Sequence, residues 1–197
     1  MKTRDAAVIV LAAGLSQRMK SPKALLPFDK QMTFIERITG LYTEWGCKEI
    51  IVVVNKENSE LIRQVNHMPE AVSVVVNDHP EYERFYSVKL GLRALKSSEF
   101  CFLQNVDNPF IDKGILETLF GNRSSEAIVS PVFQNKGGHP VLLNHKSMRL
   151  ITAYPTDNAN LKEILGTIEC KKVEMQDDKV LININSPEEY ERLFDIR

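Results

Sequence analysis

The stretch AVIVLAAGLSQRMKSPKALLPF, from Ala7 to Phe28, joins an apolar strand pattern to a basic loop. Its first six residues form a continuous apolar run, which is typical of a strand buried on both faces. The loop contains no acidic residue and carries Arg18, Lys20 and Lys23. Small residues let a ligand approach the backbone, and cations bind phosphate oxygens. The loop therefore suits a polyphosphate, although its charge alone leaves a solvated basic loop as the alternative.

Strand and helix patterns alternate along the rest of the chain. Helices are predicted at 34–45, 58–67, 87–96, 112–120, 146–154 and 161–165, and a last one is capped by Ser186. Strands are predicted at 49–54, 71–76, 99–103, 141–143, 167–174 and 179–184, with another beginning at Glu126. This alternation predicts an α/β fold with a mostly parallel sheet in a single domain, 1–197. Ligands of such sheets lie at the carboxyl ends of the strands.

Composition narrows the class of protein. The chain has 197 residues, with 25 basic and 26 acidic side chains and a net charge of −1, so bulk coating of nucleic acid is excluded. Cys47, Cys101 and Cys170 are scattered, which argues against a disulfide framework or a structural zinc site and favours small apolar fillers. No apolar run approaches the ~20 residues of a membrane span. We therefore expect a cytoplasmic protein with neither nucleic acid nor membrane as partner.

A second candidate loop follows the strand pattern at 99–103. The segment FLQNVDNPFI, from Phe102 to Ile111, places Asp107 just past an apolar strand, with Pro109 after it. Mg²⁺ is typically held by one or two protein carboxylates, substrate phosphates and water. Asp107 is therefore a candidate Mg²⁺ ligand, with a turn or helix-capping aspartate as the alternative.

The first loop resembles a known signature. LAAGLSQRMKSPKALLPF is similar to the LAAGxSxRMG…PKxLL motif of nucleotidyltransferases related to molybdenum cofactor biosynthesis, above all the cytidylyltransferase branch, although Lys20 replaces a usual Gly. The resemblance implies a three-layer Rossmann-like domain of the nucleotide-diphospho-sugar transferase type. It also implies that Arg18 and Lys23 hold the triphosphate of an NTP. The base and ribose would lie against the backbone of Leu11, Ala12, Ala13 and Gly14, and Ser16 would be a further nucleotide-binding residue.

Two further segments carry the resemblance at the metal site. Asp107 matches the aspartate of the family's GDxP segment, which binds the metal at the α-phosphate, while Val106 replaces its glycine. NINSPEEY, from Asn183 to Tyr190, matches the family's DIDTPEDY with both leading acids replaced by Asn. The second of those acids contacts metal in related transferases. Asn185 offers only a neutral oxygen there, so we expect it to be a weaker metal ligand.

Other matches concern the base and the acceptor. Asn77 and Ser87 lie in the region that touches the base in the family, and there Tyr86 replaces a small residue. An aromatic side chain at this point could stack on a base or belong to the core. His139 lies in GGHPV, which resembles the family's RGHPV turn. It is a candidate acceptor-binding residue, with a local hydrogen-bonding role as the alternative.

Together these residues predict Mg²⁺-dependent nucleotidyl transfer. Arg18, Lys23 and Asp107 are the candidate catalytic residues, and Asp107 and Asn185 the candidate metal ligands. The expected substrates are an NTP, with CTP favoured, and a small phosphorylated acceptor, with a molybdopterin cofactor favoured. The product besides the nucleotidylated acceptor is pyrophosphate. A sugar phosphate or phospho-alcohol acceptor remains an alternative, as does a catalytically weakened nucleotide-binding or partner-binding relative, motivated by Asn183 and Asn185. The oligomeric state stays open.

Overall fold

The computed structural model describes residues 4–14, 18–19, 21–65 and 67–194, in which strands and helices alternate. Ser16 and Lys20 lie outside the described residues. The strands are β1 (Arg4–Ala12), β2 (Cys47–Asn55), β3 (Val72–Asn77), β4 (Phe100–Asn105), β5 (Ile128–Phe133), β6 (Lys136–Gly137), β7 (Val141–Asn144) and β8 (Cys170–Glu174). The α-helices are α1 (Phe34–Trp45), α2 (Lys56–Arg63), α3 (Glu83–Ala94), α4 (Lys113–Gly121), α5 (His145–Thr152), α6 (Leu161–Gly166) and α7 (Pro187–Phe194).

The strands form one mixed sheet with a parallel core. Their order is β3-β2-β1-β4-β7-β5-β6, and β8 pairs with β5. Strands β3, β2, β1 and β4 are parallel, whereas β7 runs antiparallel to both β4 and β5. Because Leu11 pairs with Asn105 and Asn55 with Asn77, the carboxyl ends of the four parallel strands lie along one edge. The predicted α/β class is confirmed.

Helices cover both faces of the sheet and give it three layers. Alternate residues of β1 point to opposite faces, so that Val8 and Val10 pack into one apolar cluster and Ala7 and Ile9 into the other. The first cluster includes α1 and α4, and the second includes α3, α5 and α6. Because both faces of β1 are covered, the continuous apolar run at its centre is fully buried.

Local capping sets the ends of α1 where the sequence predicts them. Thr33 and Glu36 form a capping box, in which each side chain accepts a hydrogen bond from the other residue's backbone N–H. Gly46 follows the helix with φ 94°, a left-handed conformation that glycine adopts without a steric penalty. The chain then enters β2 directly.

The strand predicted at 179–184 is wrong. Asp178–Leu181 forms a turn of 3-10 helix, started by Asp177, whose side chain accepts a hydrogen bond from Lys179 N–H. The carbonyl of Val180 accepts from Asn108 Nδ2 at 3.2 Å and from His139 N–H at 2.9 Å. These bonds satisfy the Val180 carbonyl without a neighbouring strand, which an apolar pattern alone does not reveal.

Two smaller departures concern a helix start and a cysteine. Helix α3 begins at Glu83, a turn earlier than the predicted Ser87. Cys101 is buried as expected of a filler, but Cys170 is exposed on β8 and does not fill the core. Among the residues that the structure describes, no helix is both long and apolar enough to span a membrane.

Candidate active site

The loops after β1 and β4 lie side by side at the carboxyl edge of the sheet. Val106 N–H donates to the Leu11 carbonyl at 3.2 Å, which extends the pairing of the two strands past their last paired residues. Asp107 therefore follows directly after a residue that is hydrogen-bonded to Leu11, at the start of the first loop. Val106 itself is buried, so the residue that replaces the family's glycine adds to the core.

Lys23, Asp107 and Asn185 meet although they are far apart in sequence. Lys23 begins a short 3-10 turn, and its Nζ donates to Asp107 Oδ2 at 3.2 Å and to Asn185 Oδ1 at 2.8 Å. The side chains of Lys23 and Asp107 are 15% and 19% exposed. An ion pair this sheltered is screened less by salt than a surface pair. Arg18 lies exposed in the same crossover, between β1 and α1.

The chain around Asn185 is fixed on two sides. Ile184 N–H donates to the Asp107 carbonyl at 2.8 Å. The carboxylate of Glu189, in the first turn of α7, accepts from Asn185 N–H at 2.6 Å and from Ser186 N–H at 3.2 Å. The start of α7 is thereby tied to the Asp107 loop, and Asn185 is held within reach of Lys23.

One oxygen of the Asp107 carboxylate is a candidate ligand for a cation. Its Oδ1 is buried and receives no hydrogen bond from any described residue. Burying a carboxylate oxygen without a hydrogen-bond donor costs folding free energy unless a cation or a ligand group binds it. Within the described residues there is no cluster of three or more His, Cys, Asp or Glu side chains able to hold a metal. A single carboxylate fits Mg²⁺, which takes most of its ligands from phosphates and water.

Asparagine side chains shape the end of the sheet beside the first loop. Asn55 Nδ2 lies 3.3 Å from the Ala13 carbonyl and 3.4 Å from that of Gly14, so it supports the backbone of the loop. Asn77 Nδ2 donates to Ser87 Oγ at 2.9 Å, and both residues are almost fully buried. Sequence reasoning missed Asn55, whose only signal was its position at the end of a buried strand.

A cavity of about 380 Å³ opens beside this edge, between α3 and α6. Its walls are mostly apolar, and it is lined by Leu11, Arg84, Phe85, Leu103, Asn105, His139, Val141, Ala159, Asn160, Leu161, Lys162 and Leu165. Arg84 and Lys162 are exposed cations, and the described residues that line the cavity include no acid. The cavity thus combines apolar walls with positive charge, as suits an anionic ligand with an apolar body.

His139 faces this cavity in its neutral form. Burial, and to a smaller extent the charge of Arg84, lowers the pKa of the imidazole to about 4, although the Asp107 carboxylate partly opposes this shift. Its Nδ1 is buried without a hydrogen-bond partner among the described residues. Neutral imidazole can donate or accept a hydrogen bond at that atom, according to its tautomer.

The aromatic residues near the start of α3 pack against protein. Phe85 is buried and contacts the Tyr154 ring at 5.5 Å between centroids. Tyr86 lies edge-on to Tyr82 and His79. Phe85 therefore belongs to the core, whereas Tyr86 is half-buried and packs beside Tyr82 and His79 outside both apolar clusters.

A mixed α/β sheet whose parallel core brings a lysine and an aspartate together at its carboxyl edge defines a protein of the nucleotidyltransferase fold. The family model described as the MobA-like NTP transferase domain matches residues 8–191, and the chain belongs to that family. The resemblance inferred from the loop motifs is therefore confirmed.

Relatives named as cytidylyltransferases and as guanylyltransferases match nearly the whole chain. The molybdenum cofactor cytidylyltransferase of Escherichia coli K12 is 26% identical over 184 residues, which are 92% of each protein. A probable molybdenum cofactor guanylyltransferase of Bacillus mycoides is 25% identical over 192 residues, with the same coverage. The crystal structure of Rv0371c from Mycobacterium tuberculosis in complex with manganese superimposes with a TM-score of 0.76 at 19% identity, covering 98% of this chain and 99% of that one. That last likeness supports the fold.

Proposed function

We propose that this chain transfers a nucleoside monophosphate from an NTP to a small phosphorylated acceptor and releases pyrophosphate. The observation that carries the proposal is the meeting of Lys23 and Asp107 at the carboxyl edge of the sheet, beside the small-residue loop. A cation for phosphates and a carboxylate for a divalent metal are the two groups that such a reaction needs close together.

The reaction needs no side chain that removes a proton. A phosphate oxygen of the acceptor, already ionised at neutral pH, attacks the α-phosphorus in line and forms a new P–O bond. The bond between the α-phosphorus and the bridging oxygen breaks, and pyrophosphate leaves with the electron pair. Arg18 and Lys23 bind the β- and γ-phosphates and neutralise the charge that grows on them. The neutral imidazole of His139 is consistent with a binding role.

Asp107 is the proposed Mg²⁺ ligand, since its buried Oδ1 lacks a donor among the described residues. When bound, Mg²⁺ neutralises negative charge on the α-phosphate and on the leaving pyrophosphate. The structure of Rv0371c with manganese shows a divalent metal in a protein of this fold. Asn185 is a weaker candidate as a second ligand, because its oxygen is neutral and accepts from Lys23.

The nucleoside is proposed to lie against the backbone of Leu11 to Gly14, which Asn55 supports from behind. Ser16 belongs to the same proposed contact surface but lies outside the described residues. Asn77 and Ser87 are proposed to lie on the neighbouring side of the nucleotide, where their side chains are hydrogen-bonded to each other. CTP is the favoured nucleotide from the loop motif, and the relatives named for cytidylyl and guanylyl transfer make GTP its competitor.

The cavity beside His139 is the proposed acceptor site. Its apolar walls suit a flat heterocycle, while Arg84 and Lys162 suit a phosphate group. A molybdopterin cofactor has both features, whereas a sugar phosphate has a polar body that these walls do not match. The relatives named molybdenum cofactor cytidylyltransferase and guanylyltransferase support the same acceptor class.

Pyrophosphate release from a matrix of nucleotides and acceptors tests the proposal. CTP, GTP, UTP and ATP are each combined with Mg²⁺ and with molybdopterin, a hexose phosphate or a phospho-alcohol. We expect turnover with CTP and molybdopterin, and loss of that turnover in Asp107→Asn. Nucleotide binding without turnover in every combination would instead identify a binding protein that has lost catalysis.

A further inference from the structure

The Lys23 ammonium lies between two oxygens that the family motif assigns to metal. Its Nζ is 3.2 Å from Asp107 Oδ2 and 2.8 Å from Asn185 Oδ1. A divalent cation that binds Asp107 must compete with this ammonium for negative charge. Whatever holds Lys23 in place therefore also determines how readily metal binds before the nucleotide arrives.

We propose that Asn185 is a positioning residue that holds Lys23 on Asp107 in the nucleotide-free protein, so that a divalent cation binds tightly only together with the NTP. The inference rests on the proposed function, because it assigns Lys23 to phosphate once an NTP is present. The phosphates then draw the ammonium off the carboxylate, and the metal takes its place there. Metal and nucleotide binding are coupled through this exchange.

The neutral amide is what makes the exchange possible. Asn185 Oδ1 accepts a hydrogen bond from Lys23 and adds no negative charge to the site. An aspartate here would create a second carboxylate within reach of the same ammonium, and the pair would carry a net negative charge that attracts a divalent cation without nucleotide. The Glu189 carboxylate accepts hydrogen bonds from the backbone of Asn185 and Ser186, and these bonds fix the position from which the Asn185 side-chain amide reaches Lys23.

Mn²⁺ titration followed by electron paramagnetic resonance of the free ion tests this coupling. The wild type is compared with Asn185→Asp and Lys23→Met, with and without CTP and GTP analogues that carry a methylene group between the α- and β-phosphorus. We expect weak Mn²⁺ binding to the nucleotide-free wild type. Either substitution should lower the Kd for Mn²⁺ at least ~10-fold, because one adds a carboxylate and the other removes the competing ammonium. An analogue should tighten Mn²⁺ binding more in the wild type than in either variant.

Asn183→Asp is the matched control, because it adds the same charge two residues away, where the side chain donates to the Leu181 carbonyl at 3.0 Å. Circular dichroism establishes that each variant is folded. Unchanged Mn²⁺ affinity in Asn185→Asp, or equal tightening in Asn183→Asp, overturns the role of Asn185. Failure of every analogue to bind the wild type contradicts the proposed function. The nucleotide-free titrations still show in that case whether Asn185 limits the binding of Mn²⁺.

Discussion

At the scale of single residues, Lys23 connects the two halves of the candidate site. Its side chain is largely sheltered and contacts Asp107 from the β4 loop and Asn185 from the segment before α7. We expect Lys23→Ala to lower kcat for pyrophosphate release about 100-fold or more, which is typical of losing one preorganised donor to transition-state charge. Steady-state kinetics with the preferred NTP and acceptor measure the effect.

Lys171→Ala is the control for that measurement, since Lys171 is exposed on β8, outside the site. Lys23→Arg should recover only part of the activity, because a planar guanidinium does not replace a compact ammonium in a sheltered site. A near-normal kcat in Lys23→Ala would remove Lys23 from the phosphate-binding role.

His139 makes the stability of the protein depend on pH. Burial and Arg84 lower its pKa from 6.5 to about 4, so the unfolded chain binds a proton at this site that the folded chain rejects. Above pH ~6.5 the imidazole is neutral in both states and does not lower the unfolding free energy. Between pH ~6.5 and 4 protonation stabilises the unfolded chain alone, so the unfolding free energy falls as the pH falls. The wild type should therefore lose roughly 1–3 kcal/mol more unfolding free energy than His139→Gln between pH 7.5 and 4.5.

Urea unfolding of both proteins at the two pH values measures this difference. Carboxylates with lowered pKa values, such as Glu36 and Asp112, are common to both proteins and cancel in the comparison. An equal pH dependence of the wild type and His139→Gln would show that the imidazole is readily protonated in the folded state.

At the scale of elements, two helix glycines differ in the space around them, because Gly91 packs tightly against the sheet and Gly40 does not. Gly91 of α3 faces β1, where an added Cβ would lie 2.7 Å from Ile9 Cγ2 in a fully buried side chain. Gly40 of α1 has nothing within 4 Å of that position. We expect Gly91→Ala to destabilise the protein by about 1–3 kcal/mol through overpacking. Gly40→Ala should stabilise it by about 0.5–1 kcal/mol through helix propensity.

Chemical denaturation of the two alanine variants measures both effects in the same assay. They have the same composition and both alter a helix, so opposite signs isolate the contact with Ile9. Two stabilised variants would show that α3 can move away from β1 without cost.

Elements were predictable where local signals and burial agree. Helix α1 has its Thr33 cap, an apolar stripe and Gly46, and both of its ends match the prediction. The segment 179–184 has an apolar pattern but bonds to Asn108 and His139, which are distant in sequence. Its conformation depends on partners that no local pattern shows, and the strand prediction fails for that reason.

At the scale of the whole molecule, the candidate site was only partly readable from the sequence. The loop motifs named Lys23, Asp107 and Asn185, but their mutual contacts join parts of the chain separated by 84 and 162 residues. The cavity was not predictable, since its lining comes from β1, α3, β4, the His139 turn and α6. No single segment of the sequence predicts the cavity, because its walls become neighbours only when the sheet and both helix layers assemble.

Lys89 joins two of those walls. Its side chain is 3% exposed, and its Nζ donates to the Tyr154 carbonyl at 2.7 Å and to Asp157 Oδ1 at 2.6 Å. The same ammonium lies 3.4 Å from the Thr156 carbonyl. Helix α3 is thereby tied to the segment before α6, which continues into Ala159 and the cavity wall. The sequence gives no hint of this role for a lysine in an amphipathic helix.

We expect Lys89→Met to loosen this connection while keeping the length of the side chain. The Tyr154 and Thr156 carbonyls lose a charged donor, and the cost should be about 1.5–3 kcal/mol of unfolding free energy. Asp157 is partly exposed and regains water, so the effect should be concentrated in the backbone of 153–160 and the first turn of α6. Hydrogen exchange followed by mass spectrometry should show faster exchange there and little change in β1 or β2, with Lys171→Met as the exposed control. Unchanged exchange in 153–160 would mean that the apolar contacts of Leu161 and Ile164 hold the segment without Lys89.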